Sequence, residues 1–314
     1  MKAIVQTGYG SPDALERREV EAPSVSDDTI LVRVHAASIN ALDAHLLRRI
    51  AHVFAKLLGK PPSPIRGVDL AGTVEGCGRN VSRFKPGDEV FGVGRGAFAE
   101  LAIAREIHLA PRPRTLTFAQ AAALPIAGMT ALQGLRDKAQ VKTGQAVLIY
   151  GAGGGTGTFA VQIAKALGAR VTAVTRTEHL DLLRSIGADE VVDYTREDFT
   201  RRGERYDVLF DIGANRSSAD YERSLAPQGK LVRVGAPKSV GAVLMSLLES
   251  MIRPNRITLM ARANHEALAA LKDLAEAGRL TPVIDRTYSL SDVPEAFRYF
   301  KTGRAGGKVV ITIP

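Results

Sequence analysis

Residues 150–157 read Tyr150-Gly151-Ala152-Gly153-Gly154-Gly155-Thr156-Gly157. With Ala152 in the first glycine place and Gly154 and Gly157 in the other two, they nearly complete a Gly-x-Gly-x-x-Gly turn. Glycines are needed in such a turn because backbone must approach a pyrophosphate closely. The helix that follows offers unpaired N–H donors and a partial positive charge to the phosphates. About 20 residues further on, the next strand ends Ala173-Val174-Thr175-Arg176-Thr177, with Arg176 where NAD enzymes carry a carboxylate for the ribose hydroxyl. A guanidinium there can hold a 2′-phosphate by charge-assisted hydrogen bonds, so NADP(H) is expected over NAD. Glu178, two residues on, opposes that phosphate. The single cysteine, Cys77 in Gly76-Cys77-Gly78, excludes an intramolecular disulfide and any multi-cysteine zinc site. It reads as a small turn residue rather than a nucleophile.

The elements that must hold these residues alternate regularly. Residues 146–150 form a continuous apolar strand, and the helix after the glycines carries Phe159, Ile163, Ala164 and Leu167 on one face. Strands follow at 170–174, 191–194, 207–211, 230–234 and 257–261, with a helix over 179–186. Continuous Val/Ile/Leu runs between amphipathic helices predict a parallel sheet covered on both faces, in a doubly wound dinucleotide-binding domain. The first third is different. Residues 31–36 alternate apolar and polar, and short runs at 69–74 and 89–93 are separated by turns such as Lys85-Pro86-Gly87-Asp88. This part is a mostly-β unit, and the tail over 281–314, again of β character, is expected to rejoin it. Residues 43–58 read as an amphipathic helix with a basic side. Such a helix can lie on an anionic membrane, but a core-facing helix with a solvated basic face is the simpler reading.

The chain has 314 residues, comfortable for two domains, with 45% hydrophobic and 24% charged residues. That composition excludes collagen-like, disordered and coiled-coil classes. The longest apolar stretch, over 240–252, is too short to span a bilayer. The opening Met1-Lys2-Ala3-Ile4-Val5-Gln6 reads as a strand and lacks a hydrophobic signal core, so a cytoplasmic enzyme is expected. The net charge of +9 fits nucleic acid, a membrane surface or an anionic small molecule and does not choose among them.

Several segments together resemble the medium-chain dehydrogenase/reductase superfamily, in its zinc-free quinone oxidoreductase (zeta-crystallin-like) branch. They are Met1-Lys2-Ala3-Ile4-Val5, Val34-His35-Ala36-Ala37-Ser38-Ile39-Asn40 and Gly67-Val68-Asp69-Leu70-Ala71-Gly72-Thr73-Val74. Phe84-Lys85-Pro86-Gly87-Asp88-Glu89-Val90, Ala121-Ala122-Ala123-Leu124-Pro125, Gly187-Ala188-Asp189 and Gly307-Lys308-Val309-Val310 extend the likeness over the whole chain. The resemblance implies an α/β protein. A GroES-like, mostly-β catalytic domain would be built from residues 1–121 and 264–314, and a Rossmann doubly wound parallel-sheet NADP-binding domain from 122–263, with the active site in the cleft. Zinc-dependent relatives hold their metal at places that here carry Asn40, Val68 and Ile126, none a plausible ligand.

Without a Lewis acid, hydride must go to an acceptor already activated by conjugation, such as a quinone or an α,β-unsaturated carbonyl. The resemblance places Asn40 at the nicotinamide and substrate cleft, where its amide can donate to a carbonyl oxygen. A loop-capping role is the alternative. His45 stands where many relatives carry a Tyr donor, and Asp43 either orients His45 or begins the helix as a cap. Cofactor binding is implied for Thr130, Ala152, Gly153, Gly154, Gly155, Thr156, Gly157, Thr175, Arg176, Tyr194 and Gly235. The expected activity is zinc-independent, NADPH-dependent hydride transfer to a quinone or enone, by a homodimer with no nucleic-acid partner. An alcohol dehydrogenase or enoyl-thioester reductase is the alternative within enzymes. An NADPH-sensing or RNA-binding protein without turnover is the alternative outside them. The Met- and Leu-rich stretch over 236–264 is either a pocket wall, a dimer face or packing onto the sheet.

Overall fold

The computed structural model describes residues 1–47, 64–213, 216, 218–234 and 253–314. The expected basic helix beyond Leu47, Gly235, and the Met- and Leu-rich stretch as far as 252 lie outside the described residues. The chain parts into two compact units. One comprises Met1–Ala127, Ala263–Gly278 and Pro282–Pro314; the other comprises Gly128–Arg262 and Arg279–Thr281.

In chain order the elements are β1 (Lys2–Gln6), β2 (Leu15–Glu19), β3 (Thr29–Ser38), α1 (Ala41–Leu46), β4 (Asp69–Cys77), β5 (Glu89–Arg95) and β6 (Leu101–Pro111). Then come α2 (Phe118–Ala123), α3 (Pro125–Leu132), β7 (Ala146–Tyr150), α4 (Gly155–Ala166), β8 (Arg170–Thr175), α5 (Leu180–Ser185) and β9 (Glu190–Asp193). The remainder is β10 (Tyr206–Asp211), α6 (Ser218–Ser224), β11 (Leu225–Val234), β12 (Arg256–Leu259), α7 (His265–Glu276), β13 (Ile284–Ser289), α8 (Val293–Lys301) and β14 (Lys308–Thr312).

In the first unit the sheet order is β13-β14-β3-β4-β5-β6, and β3 also pairs with β6, closing the last four strands on themselves. Alternation in β3 buries Ile30, Val32 and Val34 and exposes Arg33, which is the pattern of a half-buried strand. The core gathers Ile4, Val32, Leu70, Phe98, Val309 and Phe297, with the Phe98 and Phe297 rings edge to face at 5.9 Å. At its end β3 lies between β14 and β4, with Ser38 opposite Val310 on one side and Asp69 on the other. Two glycines make this arrangement possible. Gly67 has φ +94°, and a Cβ there would meet the Phe98 backbone nitrogen at 2.5 Å. A Cβ on Gly72 would stand 1.9 Å from the Arg33 carbonyl oxygen.

The tail differs from its expected β character in one respect. Between β13 and β14, residues 293–301 form a helix, because Val293, Ala296 and Phe297 recur at three- and four-residue spacing and are all buried.

In the second unit all strand pairs are parallel, in the order β12-β11-β10-β7-β8-β9. The direction of winding reverses between β7 and β10, and doubly wound sheets bind ligands at that switch point. The sheet packs Leu148, Tyr150, Val174, Tyr206, Leu209 and Leu231 into one core. Among the described residues, no helix is long and apolar enough to cross a membrane.

Replacing Gly72 should force the facing strands apart. Gly72→Ala is expected to lose about 2–3 kcal/mol in a denaturant titration, in the upper part of the range for overpacked sites. Gly87→Ala, where a Cβ meets nothing within 4 Å but φ is +94°, should lose about 1 kcal/mol.

Candidate functional site

The glycine turn leaves β7 at the switch point, and each glycine there answers a different demand. Gly151 takes φ +84° in the tight turn, and the amides of Gly151 and Ala152 both donate to the Val174 carbonyl of β8 at 3.1 Å. A Cβ on Gly157 would lie 2.4 Å from the Gly151 and Ala152 carbonyl oxygens, so this glycine lets α4 pack down on the turn. Gly153 is pressed against Thr175 and His179. Gly154 is different. It has an ordinary φ of −81°, and a Cβ there would meet nothing nearer than 3.8 Å. The fold's own packing does not demand a glycine at 154, whereas a pyrophosphate brought close to the backbone does. Gly154 is also the N-cap of α4 and has no side-chain cap, so the first-turn amides, including those of Gly155, Thr156 and Gly157, are not taken up by a capping side chain. The turn therefore fits the diphosphate of a dinucleotide.

At the end of β8, Thr175 is buried, and Arg176 reaches the Tyr194 hydroxyl at 3.3 Å across 18 residues of sequence. The carboxylate that ends β9, Asp193, is buried and already accepts from Thr177 Oγ1, Thr195 Oγ1 and the Thr195 amide. Those hydrogen bonds, Thr177 first, hold its carboxyl below the usual range. Asp193 is thus committed to its own loop. Glu178 is exposed. Thr130 is buried on α3, and Gly235 lies outside the described residues.

In the first unit a buried polar cluster forms where β3, β4 and β14 run side by side. Asp69, at the head of β4, has no exposed surface; its Oδ2 accepts from Asn40 Nδ2 at 2.8 Å and Ser38 Oγ at 3.0 Å. Its Oδ1 accepts from the Ile126 amide at 3.1 Å. Lys308, 3% exposed at the head of β14, places its Nζ 3.6 Å from Asp69. The same ammonium donates to Asn40 Oδ1 at 2.7 Å and to the Ile39 carbonyl at 3.2 Å. Burial pushes the Asp69 carboxyl up and the Lys308 ammonium down, and in each case the partner's charge is the main opposing influence. Asn40 is 6% exposed and precedes α1 as its N-cap residue, yet its side chain turns to the cluster. It is Asp43 that closes the helix start, accepting the Asn40 amide at 2.9 Å.

The structure thus joins Asn40 to Asp43. His45 is exposed, about 200° around α1 from the buried Asp43. Asp69, Lys308 and Ser38 escape a motif reading, although each lies in a segment that carries the family resemblance. The available signal was a charge placed directly before an apolar run at the head of a strand: Asp69 before Leu70-Ala71, and Lys308 before Val309-Val310-Ile311. A metal does not fit this place. Asn40, Val68 and Ile126 bring no thiolate, imidazole or carboxylate, and the ammonium beside Asp69 repels a cation.

Burial, with the Asp69 charge adding and the Asn40 amide opposing, pushes the Asp43 carboxyl up to about 7. The folded state therefore keeps a proton that the unfolded chain has released above its usual value of 3.8. Stability from this group is fully present below that value and is lost as pH rises through about 7. Asp43→Asn, which can still accept the Asn40 amide, should be more stable than the wild type at pH 8 by on the order of a few kcal/mol. That advantage should shrink to nothing toward pH 4 in thermal melts.

Comparison with known proteins agrees with both units. Residues 26–114 match the family described as "Alcohol dehydrogenase GroES-like domain", and residues 186–311 match "Zinc-binding dehydrogenase". The chain is 35% identical to the 2-methylene-furan-3-one reductase of Solanum lycopersicum, over 99% of this chain and 79% of that protein. It is 33% identical to the chloroplastic NADPH-dependent alkenal/one oxidoreductase of Arabidopsis thaliana, again over 99% of this chain and 79% of that one. The solved quinone oxidoreductase of Coxiella burnetii superposes with a TM-score of 0.89 at 30% identity, covering 100% of this chain and 99% of that one. The glycine turn on its doubly wound sheet, the β unit built from both chain ends and these likenesses lead to one assignment: the chain belongs to the medium-chain dehydrogenase/reductase superfamily, in its zinc-free quinone oxidoreductase branch.

Proposed function

We propose that this protein is an NADPH-dependent oxidoreductase that delivers hydride to a quinone or an α,β-unsaturated carbonyl. The observation that carries the reading is the donor set at the family's metal places. Asn40 and the Ile126 amide hydrogen-bond a buried carboxylate paired with an ammonium, and Val68 brings no donor, a set that supplies no Lewis acid to activate a simple alcohol or ketone. The acceptor must then bring its own activation, by conjugation. The named activities of the tomato and Arabidopsis relatives on enone-type compounds, and of the Coxiella protein on quinones, support the same substrate class.

NADPH, when bound, supplies the hydride. The chain's residues bind and orient. Ala152 and the glycines through Gly157, with Thr156, hold the diphosphate; Thr175, Arg176 and Tyr194 hold the adenosine end and its 2′-phosphate; Thr130 and Gly235 serve the nicotinamide end. Asn40 donates through its amide to the acceptor oxygen, where negative charge develops. His45, exposed on α1, is the group we assign to protonate the product. We propose a cytoplasmic homodimer as the setting. The single cysteine needs no oxidising compartment, and among the described residues β12 is the edge strand of its sheet, with Met260 75% exposed just beyond it. Light scattering should return the mass of two chains.

Purified protein should oxidise NADPH with a 1,4-quinone or a linear enone, and faster than it oxidises NADH at equal low concentration. No turnover with any quinone or enone would refute the reading. Arg176→Ala should raise the KM for NADPH about 10- to 100-fold, the worth of one or two charge-assisted hydrogen bonds, while leaving the NADH value nearly unchanged.

A further inference from the structure

Asn40 is the polar side chain to which the proposed reaction assigns the acceptor oxygen, and its amide is wired at both ends. Oδ1 receives the Lys308 ammonium at 2.7 Å, while Nδ2 gives one hydrogen to Asp69 at 2.8 Å. An ammonium can only donate and an ionised carboxylate can only accept. Rotating the amide by half a turn would bring Nδ2–H against the ammonium and Oδ1 against the carboxylate, replacing two attractive contacts by two repulsive ones. The pair therefore selects one of two otherwise isosteric orientations. In that orientation, among the described residues, the second Nδ2 hydrogen is held only by a 3.5 Å contact to the Ser38 carbonyl, at the outer limit of a hydrogen bond.

The geometry points to Lys308 and Asp69 as positioning residues that lock the Asn40 amide with its weakly held N–H as the donor for the acceptor's oxygen. The inference rests on the donor role proposed for Asn40 above. It adds a reason for a buried charge pair at the place where metal-dependent relatives hold a cation. In the flipped amide Oδ1 would occupy the donor's place and repel an oxygen gaining negative charge. In the locked amide, the ammonium on Oδ1 also draws electron density from the nitrogen, which strengthens its N–H as a donor. Neither Lys308 nor Asp69 needs to touch substrate for this. The Ser38 hydroxyl and the Ile126 amide complete the acceptor sites of Asp69, so the carboxylate stays fixed while it orients Asn40.

Lys308→Met alone leaves Asp69 buried and unpaired and is expected to lose stability, so the decisive variant is Asp69→Asn with Lys308→Met, which removes both charges together. Per folded molecule, this double variant should lose about 10- to 100-fold in kcat with the KM for NADPH unchanged, and adding Asn40→Ala should cost less than a further 2-fold. Asn40→Ala alone should show the same loss. A folded double variant with wild-type kcat overturns the inference, as does a full additional loss when Asn40 is removed from it. A second readout does not depend on turnover. With 15N-asparagine labelling, the Asn40 side-chain amide, identified by its absence in Asn40→Ala, should show slow hydrogen exchange in the wild type and fast exchange in the double variant. Fast exchange in the wild type overturns the lock while leaving the activity untouched. A wild-type enzyme inert toward every quinone and enone overturns both the function and the catalytic use of the lock.

Discussion

The contact around which the first unit's buried polar cluster is built is the pair of Asp69 and Lys308, 3.6 Å apart. Two charges taken out of water gain stability only when geometry is good and the remaining lone pairs and protons are satisfied. Here they are: Ser38, Asn40 and the Ile126 amide serve the carboxylate, and Asn40 and the Ile39 carbonyl serve the ammonium. Ser38, Asp69 and Lys308 arrive on strands of the sheet, Ile39 and Asn40 follow directly from β3, and Ile126 comes from α3. Asp69 is registered opposite Ser38 by the pairing of β4 with β3, and β14 reaches the other side of β3 through the pairing of Val310 with Ser38. The strand order β14-β3-β4 is thus what makes an ion pair from two residues far apart in the chain.

The nucleotide turn follows a different logic, one of space rather than charge. Gly151, Gly153 and Gly157 are glycines because the protein itself fills or strains their surroundings. Gly154 is a glycine at a place where the protein makes no such demand, a difference that fits a ligand approaching the backbone there. Beyond it, the side chains at the ends of β8 and β9 are engaged with their neighbours. Asp193 is occupied by the hydroxyls of Thr177 and Thr195, while Arg176 is paired with Tyr194. The end of β8 thus carries a cation where NAD-binding sheets carry a carboxylate, in keeping with the NADPH-dependent relative from Arabidopsis.

The two halves differ in how much of them could be seen without coordinates. Strands 146–150, 170–174 and 207–211 were visible as apolar runs because a parallel sheet buried on both faces leaves few polar positions to confuse the pattern. The helix at 293–301 was masked by its setting: a short amphipathic turn between two strands offers few residues for a period to establish itself. Asn40 stood out through its family motif, but nothing local showed that its amide would join Lys308 and Asp69. Asp43 accepts the Asn40 amide at the start of α1, and how the two side chains share cap and cluster is invisible in a sequence where both residue types suit either place.

The order of residues alone determined the glycine turn and its βαβ setting, the basic residue at the end of the second strand, and the absence of a metal-ligating set at positions 40, 68 and 126. These are local properties, written within a few residues of one another, and so a linear reading reaches them. Only the tertiary structure decided that Lys308 meets Asn40 across 268 positions, that Arg176 meets Tyr194, and that Asp43 is buried while His45 is exposed. Those contacts depend on strand order and register, which are set by the packing of the whole sheet, and no short stretch of sequence carries them.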